Sequence, residues 1–96
     1  MIYEISEIQI LLEPVLRERG VKSAVLFGSY SNGEADEGSD IDLLVDSGLQ
    51  GLRFVGLIGY IRDALQKEVD VFDVTQLKPE SRMELEIKRS GVRIYG

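Results

Sequence analysis

Ninety-six residues, 44% hydrophobic and 29% charged, suffice for one domain with a modest core. The chain has neither cysteine nor histidine, which excludes disulfides, thiolate or imidazole metal sites and histidine-dependent catalysis; any metal would be held by oxygen, favouring Mg²⁺ or Mn²⁺. Formal net charge is −6, and the interval between Lys22 and Arg53 carries Glu34, Asp36, Glu37, Asp40, Asp42 and Asp46 without one Lys or Arg, so direct nucleic-acid binding is not expected.

Met1-Ile2-Tyr3-Glu4-Ile5 lacks the basic start and apolar run of a signal peptide, and no stretch approaches the ~20 apolar residues of a membrane span. A soluble, cytoplasmic chain is expected, without a membrane partner. Ser6-Glu7-Ile8-Gln9 reads as a capping box with Ser6 as N-cap, opening a helix whose apolar positions are Ile5, Ile8, Leu12, Val15 and Leu16. Pro14 should kink or split that helix near Glu13, and Gly20 should end it.

A first strand is predicted over 21–27. Residues 28–39 form a connection, with a short helical turn after Ser29, and a second strand follows over 40–46. Ser47-Gly48 and Gly51 bracket a loop, after which Phe54, Ile58, Ile61 and Leu65 mark the buried stripe of a helix ending near Lys67. The third strand is expected over 69–74. Pro79 suits the first turn of a last helix, with Met83 and Ile87 inward and Gly91 as its stop, before a short extended tail, Val92-Arg93-Ile94-Tyr95. Tyr30, Tyr60 and Tyr95 are expected to pack rather than to bind.

This order gives an α/β (α+β) fold, a small mixed sheet with helices mainly on one face, and a single domain over 1–96. A short connection makes the first two strands antiparallel, and the helical crossover permits a parallel second pair. The end of the first strand, Gly28-Ser29, then meets the start of the second, Asp40 and Asp42, and the start of the third, Asp70. Alternation of strand side chains puts Asp40 and Asp42 on one face, ~7 Å apart at Cα. Anions held that close repel one another unless a cation bridges them. Asp73 faces the other way, as a strand-end cap or solvated acid.

The Gly-Ser corner could offer backbone amides and a hydroxyl to a phosphate. Gly28 and Gly33 have Walker A spacing, but Glu34-Ala35 stands where Lys-Ser/Thr is required. The acidic loop is no EF-hand, because Ile41 replaces its glycine.

Gly28-Ser29, ten residues, Asp40-Ile41-Asp42-Leu43-Leu44-Val45 and then Asp70 together resemble the signature of the minimal nucleotidyltransferases (MNT) in the DNA-polymerase-β-like superfamily. The resemblance covers almost the whole chain and implies a nucleotidyltransferase fold. It also implies that Asp40, Asp42 and Asp70 are catalytic and hold two Mg²⁺ ions, with ATP bound at Gly28, Ser29, Gly33 and Ser39. The implied reaction transfers a nucleoside monophosphate to a hydroxyl and releases pyrophosphate. Relatives of this length are paired with a small helical HEPN-type toxin, which implies an antitoxin that adenylylates its partner. The alternative is a non-catalytic subunit that neutralises the partner by binding alone; transfer to a small molecule or an RNA end is a third. Relatives often carry a basic residue where this chain has Asn32, so triphosphate charge would fall to metal, amides or a distant Arg such as Arg53. Homo-oligomerisation stays open.

Overall fold

The computed structural model describes residues 2–96. In chain order it contains α1 (Ile5–Glu18), β1 (Ser23–Phe27), α2 (Ser29–Asn32), β2 (Ile41–Asp46), α3 (Leu52–Leu65), β3 (Val69–Asp73), a 3-10 turn (Val74–Gln76), α4 (Arg82–Ser90) and β4 (Val92–Tyr95). The sheet order is β3-β2-β1-β4. β1 is antiparallel to β2, β2 is parallel to β3, and β4 lies antiparallel beside β1 with an irregularity between Ala24 and Val25. The expected tail is thus an edge strand.

Strand alternation separates two faces. Ala24, Leu26, Ile41, Leu43, Val45 and Val69 are buried on one face and join Ile8, Leu12 and Leu16 of α1 and Leu57, Ile61 and Leu65 of α3 in a single core. Each of these side chains, repeated at helical spacing on α1 and α3, loses nearly all contact with water, which is the main stabilising contribution. The opposite face carries Val25, Phe27, Asp42, Leu44, Asp70 and Phe72, with the Phe27 and Phe72 rings tilted at a centroid distance of 6.1 Å. On that side α4 leans on β1: a Cβ at Gly91 would meet the Val25 side chain and the Ile87 carbonyl oxygen.

Several local expectations are corrected. Glu4, not Ser6, is the N-cap of α1, and its backbone N–H donates to Glu7 Oε1 at 2.9 Å; the glutamate three residues on reaches back as effectively as Gln9 would for Ser6. Pro14 neither splits nor ends α1, which runs through it. The bond Pro14 cannot make belongs to the Ile10 carbonyl on the exposed side of the helix, and the fully buried Ile8, Leu12 and Leu16 hold the helix in line. Val15 is only partly buried, whereas Leu57, outside the expected stripe of α3, lies in the core. Strand β1 begins at Ser23 and Asp40 lies just ahead of β2. Helix α3 stops at Leu65, with Gln66 as a left-handed cap (φ 51°) donating to the Arg62 carbonyl. Pro79 lies in the turn before α4, because Ser81 supplies the cap by accepting from the Glu84 N–H. Met83 and Ile87 are half-buried, and Gly91 does end the helix.

Among the described residues, no helix is long and apolar enough to cross a membrane.

Candidate active site

The antiparallel register places Phe27 opposite Asp42, and the parallel register places Asp70 beside Asp42 on its other flank. Paired residues share a face, so the corner after Phe27 and two acids from separate strands gather at one sheet end. Asp40 follows two residues ahead of Asp42.

Gly28 adopts φ 75° and ψ −150°, a conformation open essentially to glycine alone. A Cβ there would also collide with the Asp42 carboxylate, so the strand end and the acid can approach only because position 28 has no side chain. Helix α2 begins at Ser29, and the Ser31 and Asn32 amides and the Ser31 hydroxyl all donate to the Gly28 carbonyl. The two amides ahead of these, on Ser29 and Tyr30, have no acceptor within the helix. Tyr30 is buried in the core and anchors the corner; its hydroxyl has no hydrogen-bond partner among the described residues.

Asp42 is half-buried, while Asp40 and Asp70 are exposed. Burial, followed by repulsion from Asp70, Asp40 and Glu86, pushes the Asp42 carboxyl up to about 6. Such a carboxylate is a ligand in want of a cation, and its neighbours supply the hard oxygen donors that suit Mg²⁺. The donor types therefore fit a divalent ion. Their placement is open: among the described residues, no three acids close into a ready ion-holding cluster, so ion binding would require the exposed carboxylates to turn inward.

Beside Asp42 is a hollow of about 320 Å³. Gly28, Ser29, Asn32 and Glu34 line one wall, Asp42 the floor, and Glu86, Arg89 and Ser90 of α4 the other wall. The contribution of α4 was missed in the sequence: no spacing rule links Glu86 or Arg89 to an aspartate half a chain earlier. Gly33 and Ser39 do not line this hollow. Gly33 (φ 82°) caps α2 and borders a different depression with Ile2, Tyr3 and Tyr30. The Ser39 hydroxyl is engaged within the acidic loop, accepting from the Asp36 N–H at 3.0 Å and donating to the Asp36 carboxylate at 3.2 Å. Arg53 lies elsewhere too, bordering a depression on α3 with Arg19 and Tyr60. Tyr60 is half-exposed, with the Arg19 guanidinium 3.8 Å over its ring, rather than packed in the core. Tyr95 packs against the core as expected.

Asp73 points to the opposite face and is structural. Burial would lift its pKa, but hydrogen bonds from the Ser47 and Thr75 amides and hydroxyls more than offset this and hold it below the ordinary carboxylate value.

The family model described as the nucleotidyltransferase domain matches residues 8–92. The chain belongs to the nucleotidyltransferase domain family. Protein adenylyltransferase MntA of Thermococcus cleftensis is 41% identical to this nucleotidyltransferase over 78 residues, covering 78% of this chain and 79% of the relative. A crystal structure of a toxin–antitoxin with AMP-PNP is similar at 25% identity and a TM-score of 0.76, covering 92% of this chain and 73% of that one. A structure of the tri-AMPylated Shewanella oneidensis HEPN toxin in complex with MNT antitoxin shares the fold, with a TM-score of 0.71 at 22% identity, covering 96% and 72% of the two chains.

Proposed function

We propose that this nucleotidyltransferase, acting as one unit over residues 1–96, transfers AMP from ATP to a hydroxyl of a partner protein, a small helical HEPN-type toxin, in the cytoplasm. The observation that carries the reading is the flanking of Asp42 by Phe27-Gly28 on one side and Asp70 on the other. The adenylyltransferase relative and the toxin–antitoxin structure with AMP-PNP support the same donor and the same kind of acceptor.

On this reading the corner at Gly28 and Ser29 holds the polyphosphate through backbone amides and the serine hydroxyl. Asp40, Asp42 and Asp70 would hold two Mg²⁺ ions, which would offset part of the triphosphate's charge and lower the pKa of the acceptor hydroxyl. The acceptor oxygen forms a bond to the α-phosphorus, the bond from that phosphorus to the bridging oxygen breaks, and pyrophosphate leaves. Asp70, exposed at the open end of β3, accepts the hydroxyl proton and passes it to water.

Incubation of the protein with its HEPN-type partner, ATP and Mg²⁺ should raise the partner's mass by one or more AMP units. Asp42→Asn should abolish the gain while leaving the fold intact. An unchanged partner mass with the wild-type protein sinks the reading.

A further inference from the structure

We infer that Arg89 of α4 binds the polyphosphate of the nucleotide, supplying from the far wall the positive charge that the corner lacks. The inference rests on the adenylyltransferase reading and adds a residue to it. A nucleoside triphosphate brings several negative charges into a hollow already holding Asp42, Glu34 and Glu86, and hydrogen bonds from amides do not cancel that charge. Of the lining residues, only Arg89 carries a positive charge. Arg89 lines the same hollow as Gly28 and Ser29, so an anion held at the corner shares that space with its positive charge.

Two further observations favour a ligand over a structural use. Its basic neighbours on α4 are engaged, Arg82 with Glu86 at 3.9 Å and Lys88 with Glu84 at 3.4 Å, whereas Arg89 makes no ion pair among the described residues. Its position is also fixed. Gly91 donates to the Ile87 carbonyl at 2.8 Å and is packed against Val25, so the last turn of α4 is held to β1 with Arg89 just ahead of the contact. A planar fork of donors on an anchored helix end suits phosphate oxygens. The structural competitor is a basic residue merely offsetting the negative end of the helix dipole.

Calorimetric titration of the full chain in Mg²⁺ with AMP-PNP and separately with AMP distinguishes these. Arg89→Ala should weaken AMP-PNP roughly 10- to 100-fold and AMP by less than about twofold, because AMP lacks the phosphates in question. Arg89→Lys should recover part of the loss. Lys88→Ala, which removes a charge from the same helix end, should change neither affinity. Adding Asn32→Arg to Arg89→Ala places a cation on the opposite wall and should restore AMP-PNP binding. Equal weakening of both ligands by Arg89→Ala, or none, overturns the inference and leaves the adenylyltransferase reading standing. Should Arg89→Ala lose its helical circular dichroism, Arg89→Gln replaces it, with the same expectations. Failure of the wild-type protein to bind either nucleotide overturns the reading itself.

Discussion

Gly28 and Asp42 lie so close that a Cβ at position 28 would overlap the carboxylate, and neither can be understood alone. The strand ends in a conformation that only glycine tolerates, directly against the carboxylate. Gly28→Ala therefore adds both backbone strain and a collision with Asp42, and should cost ~1–3 kcal/mol of stability. Transfer should fall more steeply than stability, because the relief available to the alanine is to push the carboxylate aside. Chemical denaturation and partner labelling on the same preparation check both parts. The meeting of Gly28 with Asp42 was legible, since a short connection dictates an antiparallel return and alternation dictates the face. The positive φ at Gly28 was not, because nothing in a Gly-Ser dipeptide specifies which side of it must stay empty.

Among the elements, β3 shows how one strand serves two purposes by alternation. Asp70 faces the site, and three residues on Asp73 faces inward, where it ties Ser47 after β2 to Thr75 of the following turn. Asp73→Ala leaves the buried Ser47 donors without an acceptor, while exposed Thr75 turns to water, and should destabilise the protein by about 1–3 kcal/mol. Because the native pKa of Asp73 is depressed, its contribution is complete above the ordinary carboxylate pKa and is lost as pH falls through the lower native value. Denaturant midpoints for wild type and variant should therefore converge at acid pH. The sequence suggested a strand-end cap here, but the partner Ser47 was invisible because it comes from another strand's end. Helices show the same limit: periodicity revealed which faces of α1 and α3 are apolar, while the exact cap at Glu4 and the tolerance of Pro14 depended on which side faced water.

At the scale of the whole molecule, half-burial and three neighbouring acids give Asp42 a proton affinity that disfavours the folded state once it ionises. The folded pKa, about 6, lies above the ordinary value of 3.8, so this group lowers stability progressively as pH rises between those values, and the cost is complete above pH ~7. Asp42→Asn should raise the stability of the metal-free protein at pH 7.5 by about 1 kcal/mol once solvent screening is allowed for, with the gain vanishing near pH 4. Excess Mg²⁺ should stabilise wild type and not the variant; thermal unfolding at the two pH values, with and without the ion, reads all of this. The order of β1, β2 and β3 and the placement of Asp70 beside Asp42 were legible because topology follows from element order and connection length, whereas β4 was expected only as a tail. Helix α4 on the open face was not, since its charged composition gave no indication of which surface it would cover.

A single residue, Gly91, separates α4 from the edge strand β4. With so short a leash, the helix cannot keep its station if the strand beside it peels away from the sheet. Fraying at the outermost ladder would withdraw the far wall of the hollow beside Asp42 in the same motion. If Arg89 binds as proposed, affinity for triphosphate doubles as a gauge of how firmly β4 is zipped to its neighbour.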